Sequence, residues 1–161
     1  MDACPCGKPI PESQCCGRYL AGEPAPTAEA LMRSRYTAYV HCDVDYLVAT
    51  HSAKTRDDLD RGAIKLWARD SKWLSLEIVD VVRGGEGDDQ GEVEFVARYE
   101  ADGSEHRHRE RSTFARENGA WVFVGGGPPK TKPERRVERP SPNAQCPCGS
   151  GKKYKRCCGQ G

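Results

Sequence analysis

The sequence is poor in apolar residues: 37% of its 161 positions are hydrophobic, 7% are aromatic, and the mean hydropathy is −0.77. No run approaches the roughly 18 consecutive apolar residues that a membrane-spanning helix needs, so we expect no membrane span. The first residues carry no apolar segment typical of a secretory signal, and we therefore expect a cytoplasmic protein. The net charge is only +1, which disfavours a uniformly basic nucleic-acid binder.

What the sequence has in excess is cysteine, with nine residues. Eight of them form two copies of one pattern, C-x-C followed by eight residues and C-C, each beginning Cys-Pro-Cys-Gly and ending Cys-Cys-Gly. The first copy contains Cys4, Cys6, Cys15 and Cys16, and the second contains Cys146, Cys148, Cys157 and Cys158. Because an odd total and a reducing compartment both disfavour a disulfide framework, we expect another role for these thiols.

Each copy has the composition of a four-sulfur metal site. Four thiolates hold zinc tetrahedrally, and two closely spaced pairs can supply them. A segment of about a dozen residues has almost nothing apolar to bury unliganded thiols, so metal binding would have to drive its folding. We therefore predict two Zn²⁺ ions per chain, with iron as an alternative metal and redox-sensing thiols as an alternative role.

The second copy, residues 146–159, resembles the SEC-C motif over the whole length of that motif. The resemblance implies a zinc module that contacts proteins. The same motif lies at the C-terminus of the translocation ATPase SecA, where it meets the chaperone SecB. The first copy keeps the four ligand positions but has different residues between them, so metal binding is expected of both copies and partner contact only of the second.

The loop inside the second copy is strongly basic, with four cations around one aromatic ring: Lys152, Lys153, Tyr154, Lys155 and Arg156. The corresponding loop of the first copy, residues 8–14, has one Lys and one Glu. We predict that the basic loop contacts a protein partner, which the resemblance places in the secretion or translation machinery. An alternative partner is RNA or a ribosomal surface. The simplest alternative is that the loop binds nothing and only keeps the module soluble.

The apolar residues concentrate between the two motifs, where their spacing changes from helical to extended. Thr27 and Asp43 are placed to cap two helices, and Thr55-x-x-Asp58 resembles a capping box that would start a third. After Lys72 apolar and polar residues alternate, and Asn118-Gly119 indicates a tight hairpin turn. One face of the first strand would carry Leu74, Leu76, Ile78 and Val82. Helices followed by an antiparallel meander predict an α+β fold.

This order resembles the NTF2-like fold, in which N-terminal helices pack into a curved antiparallel sheet to form a cone. Residues 31–40, followed by Asp43-x-Asp45-Tyr46-Leu47, are similar to a helical signature of the YchJ family, also called UPF0225. The resemblance extends over essentially the whole chain. It implies an NTF2-like domain flanked by two small four-cysteine zinc modules, and it brings a fold rather than an activity.

We accordingly divide the chain into four parts: a divergent SEC-C-like module at 1–19, the NTF2-like domain at 20–127, a linker at 128–145 and the SEC-C module at 146–161. The linker contains five prolines and few aliphatic residues, so no packed core is expected there. Residues 128–161 carry nine Lys or Arg and two Glu, a net charge of +7, which leaves −6 for the rest. The basic tail could bind an acidic partner, RNA or the acidic domain of its own chain.

An NTF2-like cone can enclose a pocket, and a Tyr with an Asp in such a pocket can transfer protons. The residues available are Tyr36, Tyr39, Tyr46, Asp43, Asp45 and Asp80. Nothing in the sequence directs a pair of them to one cavity, so the catalytic residues stay unknown and a binding protein is expected rather than an enzyme. The pocket ligand is left open.

Three further expectations concern single side chains. His106 and His108 would lie on an exposed strand face, and Cys42 would be a packed thiol near a helix end. The opposite strand face would pair Arg107, Arg109 and Arg111 with Glu92, Glu94 and Glu100 on the neighbouring strand.

The leading hypothesis is thus a non-enzymatic zinc protein that acts as an adaptor or chaperone-like interaction module through its C-terminal motif. The alternatives are an NTF2-like domain that binds or transforms a small molecule, and an RNA or ribosome binder that uses the basic tail.

Overall fold

The computed structural model describes residues 3–130 together with residues 143, 151 and 153. The chain divides into two compact units, Met1–Thr131 and Lys132–Gly161, and every element named below belongs to the first. Within the described residues, no helix is both long enough and apolar enough to cross a lipid bilayer.

The helices come first, as predicted. They are α1 (Cys16–Leu20), α2 (Ala28–Val40), α3 (Val44–Ala49) and α4 (Arg61–Asp70), with single 3-10 turns at Glu12–Gln14 and Arg56–Asp58. The Thr27 side chain accepts a hydrogen bond from the Ala30 amide (3.1 Å) and caps α2. Asp43 accepts one from the Tyr46 amide (3.1 Å) and caps α3. Both predicted caps are confirmed, because each side chain satisfies an amide that the first helical turn leaves without a partner.

The predicted start of the third helix is wrong. Thr55 begins only a 3-10 turn and its side chain makes no capping bond. Asp60 is the cap of α4 instead, accepting from the Ala63 amide at 3.0 Å. The helix thus begins five residues later than predicted, after an aspartate whose side chain satisfies an amide of the first helical turn.

The sheet is an antiparallel meander in the order β1 (Lys72–Arg83), β2 (Gln90–Ala101), β3 (Ser104–Glu117) and β4 (Ala120–Gly127). Asn118 and Gly119 both have positive φ, 53° and 80°, as the hairpin prediction requires. The predicted α+β class is confirmed.

The facing of β1 differs from the prediction. Its pairing with β2 has two register shifts, between Trp73 and Ser75 and between Ile78 and Asp80. The first shift lets Trp73 and Leu76, three residues apart, both pack on the core. Leu74 and Val82 are consequently exposed, although simple alternation put them on one face with Leu76.

Helix α2 lies against the sheet and supplies most of the helical side of the core, including Leu31, Met32 and Tyr36. The start of α2 is held at two places. Ala28 donates to the Gly84 carbonyl at 2.9 Å, and the Trp121 indole donates to the Pro26 carbonyl at 3.3 Å.

On the other face of the sheet, some of the predicted ion pairs form. Arg109 donates to Glu94 (2.8 Å), and Arg111 pairs with Glu92 (3.2 Å) and Asp80 (2.5 Å). Glu100 instead faces Glu105 and lies 4.0 Å from the Lys72 amine, while Arg107 faces Arg98. The prediction is therefore confirmed for two arginines and wrong for Arg107, because the register sets a second arginine opposite it.

Candidate functional site

The first pair of cysteines lies on a tight turn. The Cys4 amide donates to the Ile10 carbonyl (2.8 Å), and the Gly7 amide donates back to the Cys4 carbonyl (3.1 Å). Gly7 has φ of 96°, a region that favours glycine. The turn therefore brings Cys4 and Cys6 to the same side of the segment.

The second pair stands where a 3-10 turn passes into α1. The Cys15 amide donates to the Glu12 carbonyl at 2.9 Å, and Cys16 is the first residue of the helix. A side chain at position 17 would place its Cβ 2.7 Å from the Glu12 carbonyl oxygen. Gly17 thus permits the close turn that aims Cys15 and Cys16 at the first pair.

All four thiols converge and are buried. Their Sγ atoms lie within 4.8 Å of one another, with Cys6 to Cys15 at 3.5 Å and Cys15 to Cys16 at 3.9 Å. A regular ZnS₄ tetrahedron with Zn–S bonds of about 2.3 Å has S···S separations of about 3.8 Å. The donor set and its spacing therefore fit a tetrahedral metal ion, whose coordination sphere the four thiolates would complete without an open position.

The proton affinities of these thiols are strongly unequal. Hydrogen bonding with Cys16, ahead of the other neighbours, lowers the pKa of Cys6 to about 4. Burial raises the pKa of Cys15 to about 11, and the hydrogen bond with Cys6 raises the pKa of Cys16. Thiolates this close repel one another unless a cation lies between them, so a bound metal would replace the remaining protons.

The cysteine module packs directly on α2. Arg33 donates from Nη1 to the Cys6 carbonyl at 2.8 Å, and the Cys4 Sγ lies 3.9 Å from the Thr37 hydroxyl. His41 Nε2 lies 2.7 Å from a Glu12 carboxylate oxygen. The module and the helix therefore share one buried surface.

The second predicted metal site lies outside the described residues, as do four of the five predicted partner-binding residues: Lys152, Tyr154, Lys155 and Arg156. Cys146, Cys148, Cys157 and Cys158 also lie there. Lys153 is described and is exposed.

A cavity of about 210 Å³ lies between the helices and the sheet. Its aromatic lining consists of Tyr36, Tyr39, Trp67, Trp73, Phe95 and Phe123. The Trp67 and Trp73 ring centroids lie 5.3 Å apart, and Tyr39 lies 5.2 Å from Trp67, all edge-on. A lining rich in aromatic side chains is typical of pockets that hold a small, largely apolar ligand.

The polar groups of the cavity come mainly from β3. Glu110 lies 2.8 Å from His108 Nε2 and accepts from the Ser112 hydroxyl at 3.3 Å. The hydrogen bond from His108 holds the pKa of Glu110 below its ordinary value. A Cβ at position 126 would overlap the Glu110 carboxylate, so Gly126 leaves the space that this side chain fills.

Arg35 of α2 is the other charged residue of the cavity and is 7% exposed. Its Nη1 donates to the Leu47 carbonyl (2.8 Å) and the Thr50 hydroxyl (2.7 Å), and its Cζ lies 4.6 Å from the Phe123 ring centroid. Burial lowers the pKa of Arg35 to about 10, so the side chain stays charged at neutral pH.

The residues considered for catalysis are dispersed. Asp43 caps α3 as expected, Asp45 pairs with Arg61, and Asp80 pairs with Arg111. Tyr36 and Tyr39 line the cavity, while the Tyr46 hydroxyl lies 2.6 Å from the Ser34 hydroxyl. No aspartate belongs to the cavity lining within the described residues.

Sequence reasoning missed the charged groups of the cavity, Arg35, His108 and Glu110. His106 is exposed as expected. His108 is only partly exposed, and it also lines the cavity, 5.6 Å from the Trp67 ring centroid. A usable signal existed: His108 and Glu110 alternate in phase with Phe114, which is fully buried.

The prediction for Cys42 is also wrong. Its thiol is exposed, because the residue follows α2 with φ of 56°, in the turn before α3.

The family follows from similarity along the chain. Residues 27–126 match the family model of the YchJ middle NTF2-like domain, and residues 143–160 match the SEC-C motif. The chain belongs to the YchJ-like family. The NTF2-like fold expected from the element order is thereby confirmed.

Individual relatives agree with this assignment. The UPF0225 protein GSU1048 of Geobacter sulfurreducens is 42% identical over 159 residues, 97% of each chain. The solution structure of RPA3114, a SEC-C motif containing protein from Rhodopseudomonas palustris, is 38% identical with a TM-score of 0.72, covering 78% of this chain and 98% of that one. A crystal structure of a SEC-C motif containing protein from Psychrobacter arcticus is 32% identical with a TM-score of 0.67, covering 99% and 96%.

Proposed function

We propose that the chain is a cytoplasmic protein with two structural zinc ions whose C-terminal SEC-C module serves as an adaptor for an acidic protein partner. Cys4, Cys6, Cys15 and Cys16 would hold one ion, and Cys146, Cys148, Cys157 and Cys158 would hold the other. The observation that carries the proposal is the convergence of four buried thiols within 4.8 Å. A closed set of four sulfur ligands is typical of structural rather than catalytic zinc.

Metal analysis of protein purified without added zinc tests the first part. We expect two zinc ions and no iron per chain. Cys16→Ser and Cys158→Ser should each retain one zinc, because each removes a ligand from a different site. Cys42→Ser is the matched control, since this exposed thiol belongs to neither copy of the motif, and it should retain two. Stoichiometric iron, or a folded metal-free protein, would refute the zinc assignment.

The adaptor role is supported by charge. Residues 150–156 carry four cations and no acidic residue. A zinc tetrathiolate contributes −2, so the net charge of residues 128–161, +7 without metal, stays positive. Such a surface attracts acidic surfaces over about 8–10 Å at physiological ionic strength.

The adaptor role is tested by reversing that charge. We expect the full chain to capture a reproducible set of proteins, and the variant with Lys152, Lys153, Lys155 and Arg156 changed to Glu to lose them. Two zinc ions in the variant would show that its modules are intact. Equal recovery by both proteins contradicts the proposal. Recovery that nuclease abolishes, with affinity falling steeply as salt rises, assigns the tail to RNA instead.

The cavity favours a second candidate function, the binding of a small planar molecule. Benzamide, a single neutral ring compound, is a suitable probe, because a cavity of about 150 Å³ already holds benzene. Binding should change the fluorescence of Trp67 and Trp73, which line the cavity. Ala97→Leu would fill part of the space and should abolish the change, since Ala97 also lines it. An unchanged signal in the unmodified protein with benzamide and with its isosteres benzoate and benzamidinium speaks against this role.

A further inference from the structure

The charged groups around the cavity are not equally satisfied. Glu110 is matched by His108 and Ser112, and His51 Nε2 lies 2.8 Å from the Thr55 hydroxyl. Arg35 differs, because no carboxylate of the described residues lies within ion-pair distance of it. Its hydrogen bonds there all leave from Nη1 to neutral oxygens.

A buried cation is costly when no anion is hydrogen-bonded to it, since removal from water weakens its solvation. The Glu110 carboxylate lines the same cavity and attracts Arg35 electrostatically, but it forms no ion pair with Arg35 and is hydrogen-bonded to His108 and Ser112 instead. Stacking on Phe123 recovers part of this cost. The remaining donors of the guanidinium, Nε and Nη2, belong to a side chain that lines the cavity. The Arg35 guanidinium therefore lacks a hydrogen-bonded anion, and a carboxylate matches the planar fork of arginine.

The size and lining of the cavity indicate what kind of group would carry the carboxylate. A volume of about 210 Å³ accommodates one aromatic ring with a short substituent. Trp67, Trp73 and Phe95 form part of its aromatic lining. A planar ring would gain apolar contact with these aromatic side chains.

We propose that this cavity binds a small aromatic carboxylate, with the carboxylate paired to Arg35 and the ring held among Trp67, Trp73 and Phe95. The proposal rests on the ligand-binding role of the cavity given above and adds the chemical class of the ligand. The Glu110–His108 pair lies on the same lining and would accept a hydrogen bond from a donor substituent on the ring.

Three isosteric probes test the class on the full chain: benzoate, benzamide and benzamidinium. They share one shape and carry charges of −1, 0 and +1. Titration by calorimetry and tryptophan fluorescence at pH 7.5 should give affinities in that order, with benzoate about tenfold or more above benzamide, as a charge-assisted hydrogen bond implies. The comparison needs no variant and does not depend on how a mutant folds.

Two variants locate the effect. Arg35→Met should remove the preference for benzoate over benzamide, while Arg69→Met, which deletes an equal charge from the exposed face of α4, should keep it. Equal affinity of the unmodified protein for benzoate and benzamide overturns the carboxylate class but leaves ligand binding intact. Preference for benzamidinium assigns the cavity to cations, and no binding of any probe refutes both proposals.

Discussion

Arg33 joins the cysteine module to the helix beneath it. Its Nη1 donates to the Cys6 carbonyl at 2.8 Å, and its Nε donates to Glu29 at 3.1 Å. We expect Arg33→Met to lower the free energy of unfolding by about 1.5–3 kcal/mol, the usual worth of a hydrogen bond from a charged group. The zinc content should not change, because no ligand is removed. Denaturant titration with zinc present measures the first effect and metal analysis the second.

Arg18→Met is the matched control. Arg18 forms an ion pair with Glu23, and its Cζ lies 5.5 Å from the Tyr19 ring centroid. The side chains of Arg18 and Glu23 are both about half exposed. Such pairs contribute about 0–1 kcal/mol, so stability should hardly change. An equal loss in both variants would mean that the contact to the Cys6 carbonyl does not hold the module in place.

The ionisation of Glu110 should make the folding stability depend on pH. The hydrogen bond from His108 lowers the pKa of Glu110 below its ordinary 4.5, so the ionised form is favoured by folding. This contribution is complete above about pH 4.5 and is lost as the pH falls through the lowered pKa. The unmodified protein should therefore be more stable than Glu110→Gln at pH 7, and the difference should shrink below pH 4.5. Loss of zinc in acid affects both proteins alike and cancels in the comparison; a difference that grows in acid would contradict the assignment.

At the scale of elements, the start of α2 meets the loop end of the β1–β2 hairpin with no space for side chains. A Cβ on Gly91 would lie 2.5 Å from the Gly84 Cα and 3.3 Å from the Ala28 Cβ. We expect Gly91→Ala to destabilise the fold by about 1–3 kcal/mol, the range for overpacking, because backbone rather than a flexible side chain must move. Gly87→Ala, in the loop of the same hairpin, has nothing within 4 Å and should be neutral or nearly so. Equal unfolding midpoints for the two variants would show that the close approach is not needed.

The elements also show what a sequence can predict. Thr27, Asp43 and Asn118-Gly119 act through neighbours in the chain, so local chemistry identified both caps and the last hairpin. The two register shifts in β1 depend on partners in β2, and no periodicity in β1 contains them. Asp60 was missed as a cap because Thr55 offered a competing local pattern.

The candidate sites divide in the same way. The cysteine cluster was predictable because all four of its residues belong to one repeated spacing, and the four N-terminal thiols do converge. The cavity was not predictable from the sequence, because Arg35 on α2 and Glu110 on β3 reach the same cavity only when the helix packs on the sheet. From the sequence alone, a charged residue on a helix or on a charged strand is expected at the surface. The structure shows instead that Arg35 is buried.

For the molecule as a whole, the position of the cysteine module matters more than its size. Cys4, Cys6, Cys15 and Cys16 belong to one buried cluster with core residues of α2 and the sheet, among them Leu31, Met32 and Phe114. A metal bound there would fix part of the wall against which the core packs. Loss of the metal should therefore lower the stability of the NTF2-like domain as well as that of the module.

This coupling gives the last prediction. The double variant Cys157→Ser/Cys158→Ser removes two of the four predicted C-terminal ligands, so only the N-terminal site should bind zinc in it. In this variant a zinc chelator should lower the Tm by about 5 °C or more, because about 1 kcal/mol corresponds to several degrees in a domain of this size. The fluorescence of Trp67, Trp73 and Trp121 reports the Tm. Added zinc should restore the Tm. With Cys16→Ser as well, the chelator should have no effect, because the remaining site has already lost a ligand. Unfolding curves that coincide with and without zinc would mean that the module and the core unfold independently, and that the buried contacts of Arg33 and Thr37 with Cys6 and Cys4 transmit no stability.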